Sequence, residues 1–191
     1  MRNDERAARR SRHGRGIKRS MRRNPLVAGA LGGAVGTAAM DSVLSIRYRR
    51  AGGRQGALAW EFSASVKKWD DVSAPGQVGR RLLQRFLGRE APDTWARSTQ
   101  NVMHWATGMG WGGQFGAMAG SARHPSWAWG LALGPVAWST GYVILPLAHI
   151  YKPIWDDDAR TLAKDLSAHL VYGTATGVTV AALARSNHRA A

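Results

Sequence analysis

The chain carries no charged side chain from Pro25 to Met40, and the apolar run continues past Asp41 to Leu44. Its length, about 20 residues, is what a hydrocarbon core about 30 Å thick demands of one helix. Asn24 is placed as its cap and Pro25 suits the first helical position. Three further apolar runs follow at 101–120, 127–150 and 166–183. The second is the least apolar and very rich in glycine. The third contains Pro135 and Pro146, which membrane helices tolerate when neighbours satisfy the freed backbone groups. Trp127 and Trp129 at one end of that run, with Tyr151 and Trp155 beyond the other, fall where an aromatic belt meets headgroups. The expected fold is all-α: a polytopic membrane protein of four transmembrane helices packed through glycine rows, spanning 24–185, with a surface amphipathic helix and a short tail at 186–191.

Two other plans compete with this one. A soluble helical protein agrees with the mean hydropathy of −0.29, but that average includes a basic N-terminal arm and the polar connection 45–100. A secretory signal agrees with basic residues before an apolar stretch, and the pair Arg22 and Arg23 hints at a twin-arginine signal. The three later apolar runs favour an uncleaved first helix.

Charge is unevenly distributed. Of 27 Lys and Arg residues, ten lie in the first 23 positions, against Asp4 and Glu5 there, in a chain of net charge +15. This segment reads as a disordered arm that retains the N-terminus in the cytoplasm. Nucleic acid is the weaker partner, because the arm has no aromatic residue to stack on bases. The expected partners are the lipid bilayer with its anionic headgroups, and a second copy or another membrane protein. Four spans return the C-terminus to the N-terminal side, although Arg47, Arg49, Arg50 and Arg54 make the far flank of the first helix basic too.

In the connection, Val78, Leu82, Leu83 and Phe86 alternate with Arg80, Arg81, Arg85 and Arg89 at helical spacing. A helix over about 77–89 is expected to rest on the membrane surface with its arginines at lipid headgroups, or to cap the bundle with a solvated basic face.

Steps of four residues, which share one helix face, trace three rows of small side chains. They are Gly29, Gly33, Thr37 and Asp41; His104, Gly108, Gly112, Gly116 and Gly120; and Asp165, His169, Gly173, Gly177 and Ala181. Such ridges let membrane helices approach closely. If the spans alternate in direction, Asp41, His104, His149 and His169 all fall towards one membrane face. Three readings of that end stand side by side: a proton-responsive Asp and His cluster, a metal site of imidazole and carboxylate, or an interfacial polar ring that only satisfies helix ends. No short, fixed ligand spacing marks a metal motif. Asp156, Asp157 and Asp158 form an acidic patch at the same end, either a cation-collecting mouth or a solvated turn.

The absence of cysteine removes thiolate metal sites, disulfides and cysteine nucleophiles. No phosphate loop, dinucleotide fingerprint, nucleophile elbow or HExxH is present, so the chain is expected not to be an enzyme, and no cofactor is indicated. The segments Trp69-Asp-Asp-Val-Ser-Ala-Pro-Gly-Gln-Val-Gly-Arg, His104-Trp105 with its glycines, Leu145-Pro146 to Trp155, and Asp165-Leu-Ser-Ala-His-Leu-Val-Tyr-Gly resemble an uncharacterised family of small actinobacterial membrane proteins. The chain is also loosely similar to inner-membrane proteins linked to acid resistance. The resemblance covers about Pro25 to Arg185 and implies the bundle and a bacterial inner membrane, without an activity.

Overall fold

A computed structural model describes residues 24–120 and 126–188, and among these the chain is helical with no strand. The basic arm and the last three residues fall outside the described part. The helices are α1 (Pro25–Arg50), α2 (Ala57–Glu61), α3 (Ala74–Leu87), α4 (Ala96–Gly120), α5 (Gly130–Ser139), α6 (Leu145–Leu147) and α7 (Ala159–His188). A π-helical turn, Thr140–Ile144, joins α5 to α6.

Among the described residues, three helical segments are long and apolar enough to cross a membrane: Pro25–Arg50, Trp127–Leu147 and Ala159–Ser186. The fourth expected span, 101–120, lies within α4, which does not meet that measure. Its first turns carry Arg97, Gln100, Asn101 and His104. The other expected limits also shift. α1 runs six residues beyond Leu44, and α7 begins seven residues before Leu166. The two extensions hold each other, since Arg47 donates from Nη1 to Lys164 O at 2.7 Å and from Nη2 to Ser167 Oγ at 3.0 Å.

Asn24 caps α1 as its position implies, accepting from the Leu26 amide at 3.0 Å, with Pro25 following. Asp158, one acid of the patch, caps α7: its Oδ1 accepts from the amides of Arg160 and Thr161, and its Oδ2 from the Thr161 hydroxyl. That hydroxyl and those amides hold the Asp158 carboxyl below its ordinary pKa.

The face that α1 buries consists of Ala28, Gly29, Gly32, Gly33, Gly36, Thr37 and Asp41, whereas Leu26, Leu31, Val35 and Ile46 point outward. This reverses the arrangement of a soluble helix, where large apolar side chains go inside. Small residues inward and branched apolar residues outward suit a helix that packs on helices and faces lipid.

Two glycine rows leave α1 in different directions. Gly29 and Gly33 face the backbone of Gly108, Gly112 and Gly116 on α4; a Cβ on Gly112 would lie 2.5 Å from Gly29 O and 2.5 Å from Gly33 Cα. Gly32 and Gly36 face Tyr172, Thr176 and Val180 on α7. In turn, Gly173 and Gly177 of α7 meet Trp127, Gly130 and Gly134. Each pairing is antiparallel, so α1 lies between α4 and α7, and α7 between α1 and α5. The ends of α1 and α5 therefore meet the beginnings of α4 and α7.

Pro146 lacks an amide hydrogen and crowds the carbonyl four residues earlier, that of Tyr142, which lies in the π-helical turn. The third segment closes at His149 with φ +54°. This terminus is also where the connection packs.

The connection has a small core of its own: Val66, Trp69, Val72, Ala91 and Ala96, with Leu83 against it. Trp69 is only 3% exposed and donates from Nε1 to Ala91 O at 2.8 Å. Asp71 accepts from the amides of Lys67 and Lys68, and Gln77 donates to Trp69 O at 2.8 Å. The segment beginning Trp69-Asp-Asp is thus a self-capped turn and anchor. The amphipathic helix is present as α3, but it turns Gly76 and Gly79 inward, with Gly79 against Thr99 and Met103. Leu82 and Phe86 are exposed, Phe86 by 85%.

Candidate functional site

The antiparallel register of α1 and α4 sets Gly33 against Gly108 and Thr37 beside Gly108. One turn further along, the same register delivers Asp41 to His104. The His104 Nε2–H donates to both carboxylate oxygens of Asp41, at 3.0 Å to Oδ1 and 2.9 Å to Oδ2. Asp41 is 4% exposed. A carboxylate so removed from water requires a donor, and the imidazole supplies it from the adjacent helix. The His104 ring meets Trp105 edge-on at 6.5 Å.

Above this pair lies a cavity of about 760 Å³, enclosed by α1, α4, α7, the π-helical turn and the connection. Its lining includes Asp41, Glu61, His104, Tyr142, Asp157, Asp165 and His169. Tyr172 reaches across from α7, donating from Oη to Gly108 O at 2.6 Å and tying the α7 wall to the α1–α4 contact.

Glu61, at the end of α2, brings a second carboxyl to Asp41. Burial raises the Glu61 pKa above its ordinary value, and the neighbouring Asp41 charge and a hydrogen bond to Asp41 raise it further, while His104 opposes them. Its buried Oε1 has no hydrogen-bond partner. The three groups Glu61, Asp41 and His104 thus form a carboxyl–carboxylate–imidazole sequence that can share one or two protons.

On α7, His169 is held by its own helix, with Nδ1–H donating to Asp165 O at 3.0 Å and Asp165 Oδ1 3.6 Å away. Both line the cavity but do not join the Asp41–His104 pair. His149 does not enter it. Its side chain faces an adjoining groove of about 1060 Å³ near Asp70, Leu147 and Trp155, and its carbonyl accepts from Arg81 at 3.0 Å. The left-handed turn that ends the third segment carries His149 outward.

The four arginines of the amphipathic helix separate into two groups. Arg80 is turned inward, its guanidinium 5.8 Å from the Trp69 ring centroid and bonded to Glu90 at 3.2 Å. Arg81, Arg85 and Arg89 are exposed. Of the acidic patch, Asp157 Oδ1 accepts from Lys152 Nζ at 2.7 Å, which raises the Lys152 pKa. Asp157 Oδ2 is buried with no partner. Among the described residues, no three His, Asp or Glu side chains are arranged to hold a metal ion.

Sequence reasoning overlooked Glu61, Tyr142, and the rows Gly32–Gly36 and Gly130–Gly134. A signal existed for Glu61: it is the only acidic residue between Asp41 and Asp70, set between Trp60 and Phe62. For α1, two interleaved four-residue glycine steps signalled a helix with two neighbours. Tyr142 had no sequence signal beyond its distance of four residues from Pro146. No protein-family model, curated protein or solved structure matches the chain.

Proposed function

We propose that the chain is a non-enzymatic polytopic protein of a bacterial inner membrane that senses or conducts protons through Glu61, Asp41 and His104, with Asp165 and His169 on the opposite wall. The observation that carries this reading is the two-oxygen bond of His104 Nε2 to a carboxylate 4% exposed, in the lining of a cavity that several ionisable side chains enter, beside a second carboxyl. An imidazole titrates near neutrality, and a carboxyl pair that cannot easily hold two negative charges provides an adjacent proton store. Ionisable groups at such depth in a bundle face its interior and are costly to maintain without a role.

In this reading α4 is the fourth span. It has 25 residues, a length of about 37 Å at 1.5 Å per residue, and the Gly108–Gly116 stretch lies directly against the charge-free part of α1. Four passes put both termini on the cytoplasmic side, where the basic arm would remain. The exposed Leu82 and Phe86 on α3, flanked by Arg81, Arg85 and Arg89, favour a seat at the anionic surface. Assembly with a second copy or another membrane protein through outward helix faces is the rival, and no residue of the cavity is needed for it.

The test is the full chain reconstituted in liposomes carrying an internal pH-sensitive dye. His104→Gln keeps the size and one hydrogen bond of the side chain but cannot accept a proton near neutrality. We expect it to abolish the proton response while the protein still melts cooperatively. A response equal to wild type in both His104→Gln and Asp41→Asn sinks the proposal.

A further inference from the structure

In a chain of net charge +15, the lining of the cavity is inverted: five carboxylates, Asp41, Glu61, Asp71, Asp157 and Asp165, stand against one lysine and two histidines, with no arginine among the described lining residues. Most of these charges are already answered. Asp41 has His104, Asp71 has the Lys67 and Lys68 amides, and Asp157 Oδ1 has Lys152, whereas His169 stands 3.6 Å from Asp165 and answers it only when protonated. Glu61 has no cationic partner of its own.

Two buried acceptors at the cavity, Glu61 Oε1 and Asp157 Oδ2, and one buried donor, Trp138 Nε1, have no hydrogen bond, and the Asp157 side chain is 11% exposed. Unsatisfied buried carboxylate oxygens are rare and call for a donor from outside the chain. The remaining wall is aromatic, with Trp60, Trp111, Trp138 and Tyr172 in the lining. Carboxylates with N–H-seeking oxygens, set among ring faces in a space of about 760 Å³, match a cation that has both N–H groups and an apolar body. Because no three-ligand metal arrangement exists among the described residues, a coordinated metal ion matches less well.

We propose that the cavity binds an organic ammonium ion, an alkylamine or diamine, whose N–H groups donate to Glu61 Oε1 and Asp157 Oδ2 while its carbon chain lies against Trp60, Trp111 and Trp138. The inference rests on the same cavity as the proton reading but does not need proton movement. It adds a ligand class to the site.

The test uses the full chain purified in detergent at one fixed pH, with 1,4-diaminobutane, n-butylamine and tetramethylammonium as probes and sodium chloride at matched ionic strength as the blank. Tryptophan emission and melting temperature are followed during titration. Saturable binding of both alkylamines is expected, at least about tenfold tighter than tetramethylammonium, which lacks N–H donors. Glu61→Gln should weaken the alkylamines by about tenfold or more. If Glu61→Gln does not melt cooperatively, Asp157→Asn carries the same expectation. Three outcomes overturn the proposal: a response no greater than that to sodium chloride, equal binding of tetramethylammonium, or wild-type affinity in the folded carboxyl variant. Amine binding that persists while liposomes show no proton response would remove the proton reading alone, and the reverse result would remove this one alone.

Discussion

Replacing Gly112 by alanine adds one methyl group within the α1–α4 contact, where the opposing atoms are all backbone. The new Cβ would lie 2.5 Å from Gly29 O, 2.5 Å from Gly33 Cα and 2.6 Å from Gly33 N, all backbone atoms. To reach an ordinary contact of 3.4 Å the helices must part by about 0.9 Å. No flexible side chain can yield there, so the separation must extend along the seam to Gly29, Gly108 and Gly116. It would stretch both the Tyr172–Gly108 bond of 2.6 Å and the His104–Asp41 bond of 2.9 Å. Overpacking of this kind costs ~1–3 kcal/mol, and the better helix propensity of alanine returns at most ~1 kcal/mol. A net loss of up to about 2 kcal/mol is expected. Gly110, two residues away on the same helix, provides the control, because a Cβ there meets nothing within 4 Å; Gly110→Ala should be neutral or stabilising by up to ~1 kcal/mol. Cooperative denaturation of the two variants in mixed micelles measures the difference. If Gly112→Ala proves as stable as Gly110→Ala, or more stable, the seam is not formed as described.

Introduced cysteines can be labelled without background, since the chain has none of its own. A membrane-impermeant reagent should reach Lys67→Cys and Asp156→Cys from one side, and Ala128→Cys and Ser186→Cys from the other; labelling of all four from one side rules out the alternating topology. The raised Glu61 pKa favours its protonated form in the folded state, so the stability it confers is full below the unfolded carboxyl pKa and is lost as pH rises through the folded one. Glu61→Gln should therefore flatten the stability–pH curve between the unfolded and the folded pKa, as measured by melting temperature against pH; an unchanged curve counts against the carboxyl pair. Trp69→Ala empties the core of the connection, removing a 3% exposed indole and its bond to Ala91 O, and should cost ~3–5 kcal/mol. Proteolysis within residues 62–95 should report that loss before the bundle itself melts.

The contacts of α1 were legible because glycine at four-residue spacing has a direct physical meaning: only a hydrogen atom fits where two backbones touch. Once Gly29 and Gly33 are set antiparallel to the α4 row, the partner of Asp41 follows from register alone. What the sequence leaves open is which row meets which helix. Gly32 and Gly36, one position before Gly33 and Thr37, point to a second neighbour, and only the packed structure identifies it as α7. Glu61 was harder to place, because its contact with Asp41 depends on the turn at Ala51–Gly53, where Gly52 takes φ +89°. Such loop geometry has no period to read. His149 misled for a related reason: its depth along the chain was right for the shared end, but a left-handed residue at the helix terminus redirects it.

The polar start of α4 shows why an average over a helix can conceal its organisation. Arg97 donates to Phe62 O at 2.9 Å, Asn101 donates to the same carbonyl at 3.1 Å, and Gln100 accepts from the Ser73 amide at 3.0 Å. These first turns are satisfied by the connection, so their polarity carries no cost that lipid would impose. The next turn holds His104, which is satisfied by α1. Beyond it the helix is chiefly glycine, alanine, methionine and aromatic residues, of which Gly108, Gly112 and Gly116 are consumed by the seam with α1. One helix thus serves three surroundings in succession: cap, cavity and seam. Averaged over its whole length, α4 is too polar to count among the helices apolar enough to cross a membrane, although its three stretches differ in what surrounds them.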